Sequence, residues 1–195
     1  MIDAQKEENS FYAKDRQTWR DWLQENHETK KAVWLIIYRK NTNTSSVSYP
    51  EAVDEALCFG WIDSSVRKRD EESFYQFFSK RNPKSNWSKL NKEKIAYLTE
   101  QNLMTEAGKK AVAIAQKNGA WNALDEVEAL ILPLDLESAF RALPTTDALQ
   151  NWEGFSRSAR RGILEWLFNA KKEETRQRRI KLIVEAAQEN EKLNP

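Results

Sequence analysis

The apolar residues of this chain repeat with two different periods, and the change comes near Trp87. Residues 32–39 (AVWLIIYR) are β-branched and aromatic and too few for a helix, and residues 61–68 and 73–80 read as two strands of a hairpin. After Trp87 the apolar residues recur every three or four positions, which is the helical period. We therefore predict an α+β fold, with a small antiparallel sheet and helices in the N-terminal half and a helical C-terminal half.

Local signals place the helices. One is predicted over residues 13–26, where Trp19, Trp22 and Leu23 share a face. Ser48 and Glu51 form a capping box that begins a second helix, and Gly60 ends it. A third helix is predicted from Trp87 onward, with Trp87, Leu90, Ile95 and Leu98 in one apolar stripe. The remaining predicted helices cover residues 105–118, 136–143, 145–153, 156–169 and 173–188.

The chain has the length of one domain, since it contains 195 residues. Its eight tryptophans and 40% hydrophobic content exclude a disordered protein. We predict a single domain over residues 1–195, with an α+β part at about 1–120 and a helical part at about 134–190. The acidic, leucine-rich residues 120–135 connect the two parts.

The cellular compartment is predicted from cysteine content and hydropathy. One cysteine, Cys58, cannot form an internal disulfide. The N-terminal residues MIDAQKEENS contain no apolar signal segment, and no run approaches the 18 apolar residues of a membrane span. These observations predict a cytoplasmic protein that does not insert into membranes.

Charge alternates along the chain although the net charge is only +1. Residues 67–94 carry nine bases and four acids, residues 121–155 one base and seven acids, and residues 156–195 ten bases and six acids. We interpret this alternation of charge as acidic elements that pack against basic ones. The alternative is that the bases form an exposed basic face on the protein. With balanced overall charge and no recognition motif, we do not expect a nucleic-acid partner.

The residues that most often bind metals or act as nucleophiles are scarce. His27 follows a predicted helix, where we expect it to interact with the helix C-terminus. Cys58 lies among apolar residues and is expected to be a core residue, because a Cys–His nucleophile would need His27 to reach it in space. One histidine and one cysteine cannot form a zinc site dominated by those ligands. A magnesium site built from carboxylates alone is the alternative, but the sequence shows no DxD-type cluster in a phosphate-binding context, so we predict no metal and no cofactor.

A cluster of polar residues joins the last strand to the next helix. Pro83 ends the strand, and Ser85 or Ser88 can cap the helix, whose free N–H groups attract anions. We predict a ligand site for an anionic small molecule, with helix capping and a buried tryptophan as the alternative. Its residues are Arg81, Lys84, Ser85, Asn86, Trp87, Ser88, Lys89 and Asn91.

A second polar group follows Gly60. Trp61, Asp63 and Arg67 are predicted to form a pocket wall, because Asp63 and Arg67 share one face of a regular strand. The alternative is an ion pair that holds the strand against a helix.

Three motifs resemble the bacteriocin-protection, YdeI/OmpD-associated family. They are YPEAVDEALCFGWID (49–63) followed by Arg67 and Lys68, RNPKSNWSKLN (81–91), and the segment from Phe155 through NAKKEETRQRRI (169–180). The resemblance covers residues 19–187. It departs from the family pattern at Ser64–Ser65, where glycine is expected, at residues 79–82, where Thr-Pro-Arg-Lys or a similar run is expected, and at Glu173, where proline is expected.

The resemblance implies tolerance of bacteriocins or cationic antimicrobial peptides and no settled catalytic activity. We therefore predict a cytoplasmic stress-tolerance protein that acts as a binding or interaction module, without a protein partner named by the sequence. The alternative is a small metal-independent enzyme that acts on a phosphorylated or carboxylated metabolite, with Asp63 as its general base.

Overall fold

A computed structural model describes residues 4–145 and 147–193 of the chain. Its residues form two compact units, Met1–Asn122 and Ala123–Pro195. The predicted single domain also includes residues 1–3, 146 and 194–195, which lie outside the described residues. Whether the two units unfold together is not tested by their geometry, so the single domain stays a prediction.

The first unit alternates helices and strands. Its elements are α1 (Ala4–Glu8), β1 (Ser10–Tyr12), α2 (Arg16–Asn26), β2 (Ala32–Tyr38), α3 (Tyr49–Cys58), β3 (Trp61–Lys68), β4 (Ser73–Lys80), α4 (Lys89–Glu100) and α5 (Glu106–Asn118). The predicted α+β class and the β3–β4 hairpin are confirmed.

The sheet has four strands in the order β1-β2-β4-β3. β4 pairs with β2 and β3 in antiparallel fashion, but β1 runs parallel to β2. The sheet is therefore mixed: β2, β4 and β3 form the predicted antiparallel sheet, and the parallel strand β1 was not predicted. β1 has only three residues, which is too few for a period-two pattern to show in the sequence.

The core of the first unit lies between one sheet face and the helices. Leu35 and Phe78 from the sheet pack with Trp19 of α2 and Leu57 of α3, and each of these side chains is almost completely buried. The predicted capping box at Ser48 is present. Thr105 caps the first turn of α5, and Gly119 ends that helix with a φ of 82°.

The second unit is helical in its described residues. It contains α6 (Asp125–Glu128), α7 (Leu134–Arg141), α8 (Asp147–Gly154), α9 (Arg157–Phe168) and α10 (Glu173–Gln188). Trp152, Leu164 and Ile183 belong to its own hydrophobic core. No helix in the described parts of either unit combines the length and the apolarity that a membrane span requires.

Charge pairing within the second unit follows the sequence interpretation. Arg161 binds Glu128 at 2.8 Å, and Arg176 binds Asp135. The acidic segment thus packs against bases from α9 and α10. Residues 120–135, which were predicted to connect the two parts, contain the short helix α6.

Candidate functional site

A cleft of about 730 Å³ opens in the first unit. It lies between the C-terminal end of α2, the α3–β3 turn, the end of β4 and the first turns of α5. The polar and aromatic residues that line it include His27, Trp61, Lys80, Arg81, Trp87 and Lys110. A cleft of this size falls within the range of small-ligand sites.

A glycine brings the walls of this cleft together. Gly60 forms the α3–β3 turn with a φ of 71°, which residues with side chains rarely adopt. A Cβ at this position would lie 3.1 Å from the carbonyl oxygen of Ala107 and 3.2 Å from the Cβ of Ala111. Only glycine therefore allows α5 to pack this closely on the turn.

Arg81 follows β4 and is one of the residues that line the cleft. Its backbone N–H donates to the carbonyl of Gly60 at 3.0 Å, and its guanidinium carbon lies 3.7 Å from the centroid of the Trp87 ring. Nη2 donates to the backbone carbonyl of Asn86 at 2.5 Å. Nε and Nη1 are buried, and neither has a hydrogen-bond partner among the described residues.

Burial lowers the pKa of Arg81 to about 10, although nearby Asp63 favours the charged form. The guanidinium therefore remains charged at neutral pH. A buried cation with unsatisfied N–H groups is costly, because each group has lost its water without gaining an acceptor. Either nitrogen, Nε or Nη1, could donate to an acceptor from outside the protein only if the side chain moved to expose it to the cleft.

The two tryptophans of the cleft are structural supports for the polar residues. Trp61 and Trp87 are 1% and 2% exposed. The Trp61 indole N–H donates to the backbone carbonyl of His27 at 3.4 Å, and Trp87 packs against Trp121 with ring centroids 5.0 Å apart. These contacts fix the cleft wall and leave little of either ring for a ligand.

His27 caps the end of α2, as the sequence predicted. Its Nδ1 lies 2.9 Å from the carbonyl oxygen of Leu23, and because a carbonyl only accepts, Nδ1 carries the proton. The ring packs on Phe59, with centroids 5.2 Å apart. Burial raises the pKa of the Cys58 thiol to about 11, which agrees with the predicted core role for this residue.

The structure separates the predicted anion-site residues into two groups. Arg81 and Trp87 line the cleft, and Asn86 contributes the carbonyl that holds Arg81. Lys84 and Lys89 are exposed and lie outside its lining, so the three predicted cations do not converge on the start of α4. Lys89 instead pairs with Glu93 on the next turn, at 3.8 Å.

The serines of this segment serve its backbone. Ser88 is the N-cap of α4 and accepts from the backbone N–H of Asn91 at 3.3 Å. Ser85 donates to the carbonyl of Asn82 at 2.7 Å. Ser88 therefore caps the helix through the N–H of Asn91, and for these two residues the alternative interpretation, helix capping, applies.

The predicted pocket wall at Trp61, Asp63 and Arg67 is divided by a β-bulge. Asp63 pairs with Phe78, whereas Arg67 pairs with Tyr75, and the register shifts between them. The shift places Asp63 and Arg67 on opposite faces, so the prediction of a shared face was wrong. Of the three residues, only Trp61 lines the cleft.

Asp63 and Arg67 each have local partners. Asp63 accepts a hydrogen bond from the Tyr49 hydroxyl at 2.7 Å. Burial, together with that bond to Asp63, raises the pKa of Tyr49 to about 12. Arg67 is exposed and donates to the carbonyl of Val66 at 2.9 Å. Among the residues that the structure describes, neither Asp63 nor Arg67 forms the ion pair that was the alternative interpretation.

Sequence reasoning missed the α5 side of the cleft. Lys110, Ala107, Ala111 and Ile114 line it, and they lie far from Arg81 in sequence. The run of small residues in α5, together with Gly60, is a signal of close packing, but it does not indicate what α5 packs against. In residues 4–145 and 147–193, no group of three or more His, Cys, Asp or Glu side chains could hold a metal ion.

Comparison with known families gives one match in each unit. Residues 11–111, just over half of the chain, match a domain of unknown function, DUF8412. Residues 129–190 match the bacteriocin-protection, YdeI or OmpD-associated family. The motifs at 49–63 and 81–91 lie in the first match, and the second covers only the C-terminal part of the predicted resemblance at 19–187. No curated protein and no solved structure matched the chain.

Proposed function

We propose that this chain is a binding module. It belongs to the DUF8412 family, and it carries a C-terminal segment of the bacteriocin-protection, YdeI or OmpD-associated family. Its ligand is an anionic small molecule that enters the cleft of the first unit. We further propose a protective role in stress tolerance, which is supported by the bacteriocin protection named in the description of the second family.

The observation that carries this proposal is the state of Arg81. Two guanidinium nitrogens of this cleft-lining residue are buried without partners, and the third is held by Asn86. Guanidinium groups bind carboxylate and phosphate oxygens through parallel N–H donors. An anion in the cleft would supply the missing acceptors after a small movement of the side chain.

The surrounding charges also favour an anion. Lys80 lines the cleft beside Arg81, with its ammonium 2.7 Å from the backbone carbonyl of Glu28, and Lys110 faces them from α5. The acids of the lining are Glu28 and Glu106, whose side chains are 85% and 90% exposed and extend into water. The lining of the cleft therefore contains three cations and only two carboxylates, both well solvated.

We place the module in the cytoplasm. The only cysteine is a buried thiol, and a chain with one cysteine gains no internal disulfide from an oxidising compartment.

The test is anion-dependent stabilisation of the full chain. Thermal unfolding is measured in sulfate, phosphate and acetate, each against chloride at equal ionic strength. A ligand at 100 times its Kd stabilises by about 2.7 kcal/mol, which thermal unfolding detects. We expect Arg81→Met to lose the anion effect and Arg81→Lys to keep part of it.

Lys84→Met is the matched control, because it removes a nearby exposed cation that lies outside the cleft lining. It should retain the full anion effect. The proposal fails if the parent shows no anion-specific stabilisation, or if Arg81→Met responds to anions as the parent does.

A further inference from the structure

The cleft has a cationic end and an apolar wall. Lys80 and Arg81 lie together at the end of β4. Ala107, Ala111 and Ile114 line the cleft from one face of α5, at the helical spacing of three and four residues. A ligand that fills this cleft therefore meets charge and hydrocarbon at the same time.

The apolar wall is open to solvent. Ala107 and Ala111 are only partly buried, and Ile114 is 36% exposed. An inorganic oxyanion bound at Arg81 would leave this surface in water. Covering it with an apolar group is favourable in proportion to the area removed from water.

The aromatic residues limit the shape of the ligand. The guanidinium of Arg81 already covers the Trp87 ring, and Trp61 and Phe59 are 1% and 2% exposed. No broad aromatic platform is therefore presented in the described part of the cleft. The open apolar contacts are alanines and one isoleucine, which suit a compact body, such as one ring or a branched chain.

Resting on the proposed function, we propose that the ligand is a small organic anion, with one carboxylate or sulfonate group on a compact apolar body. Its acid group binds at Arg81 and Lys80, and its body covers Ala107, Ala111 and Ile114 of α5. The apolar residues of α5 make the cleft prefer this class over inorganic anions. Lys80 and Arg81, at the end of β4, bind the charged group.

The test compares three probes with related head groups on the full chain, namely sulfate, methanesulfonate and benzenesulfonate, by isothermal titration calorimetry. We expect benzenesulfonate to bind at least about tenfold more tightly than methanesulfonate, because only its ring reaches the α5 wall. Sulfonates stay ionised across neutral pH, so ligand protonation does not confuse the comparison.

Ile114→Asn tests the wall directly. Ile114 is partly exposed on a helix, so the variant is expected to fold, and the ratio of the two sulfonate affinities should fall to about threefold or less. Leu90→Asn, which changes an exposed apolar residue of α4 outside the cleft lining, should leave the ratio unchanged.

The outcomes distinguish this inference from the proposed function. If both sulfonates bind with equal affinity, the apolar wall takes no part and the inference is overturned, while the anion site stands. If neither sulfonate nor sulfate binds, both are overturned. Should Ile114→Asn fail to fold, the ratio measured on the parent still decides the matter.

Discussion

Gly108 lies so close to Cys58 that a Cβ atom on the glycine would stand 2.2 Å from the carbonyl oxygen of Cys58. The Thr105 hydroxyl donates to the same oxygen at 2.6 Å, and the Thr105 backbone N–H does so at 3.1 Å. The start of α5 is thus fixed on the end of α3. This contact positions the α5 wall of the cleft.

Gly108→Ala is expected to destabilise the protein by about 1–3 kcal/mol, because the added methyl group meets backbone that cannot move alone. The measurement is the free energy of unfolding in urea. Gly162→Ala on α9 is the matched control, since its Cβ would meet no atom within 4 Å and alanine favours helix by up to about 1 kcal/mol. Equal stability of Gly108→Ala and the parent would contradict the close contact.

Glu55 joins α2 to α3 through a buried charge network. Its side chain is 2% exposed and lies 2.5 Å from both Arg16 and Arg20. Glu55→Gln should cost roughly 2 kcal/mol of stability, less than a fully buried pair, because the arginines are 36% and 26% exposed.

The control for this network is Glu93→Gln, which alters an exposed pair with Lys89 at 3.8 Å. It should change stability by at most about 0.5 kcal/mol. Urea unfolding compares both variants with the parent. If Glu55→Gln lowers the free energy of unfolding by no more than the control does, the network does not stabilise the protein.

Cys58 should be unreactive in the folded protein. Burial raises the pKa of its thiol to about 11, so little thiolate forms at neutral pH, and the sulfur is also inaccessible. We expect iodoacetamide to modify it at least about a hundredfold more slowly in buffer than in denaturant, as measured by mass spectrometry. Rapid labelling of the folded chain would indicate that this helix end opens readily.

The Asp135–Arg176 pair should make the second unit sensitive to acid. The hydrogen bond to Arg176 lowers the pKa of Asp135 from its ordinary value of 3.8. A carboxyl with a lowered folded-state pKa contributes stability that is complete above its unfolded value and is lost as the pH falls through the folded value. Stability gained from this pair should therefore be lost below about pH 4.

The measurement is thermal unfolding at about pH 6 and about pH 3. Arg176→Met should lose less stability over this range than the parent, because the partner that depresses the pKa is gone. Arg178→Met removes an exposed cation from the same helix and should resemble the parent. An identical acid response in all three proteins would mean that the pair is screened by solvent.

Local patterns determined most of the secondary structure. The strands at 61–68 and 73–80 and the helix at 173–188 have the boundaries that their periods predict. Ser48 and Gly60 mark the ends of α3 because capping and positive φ depend on one or two residues. The helix-end role of His27 was predictable from its position after a helix, and the burial of Cys58 was predictable from its apolar neighbours.

Tertiary structure decided the sheet edge and the cleft. The parallel pairing of β1 has no local signal, and the bulge after Asp63 reverses the face of Arg67, although the sequence there reads as a regular strand. Arg81 was identifiable as a candidate together with Asn86 and Trp87, which contact it, but the α5 residues that share its cleft were not. Lys110 and the apolar face of α5 reach it only because Gly60 and Gly108 permit close packing between elements distant in sequence. Contacts between distant segments depend on how the elements pack, and no local pattern of residue types encodes that.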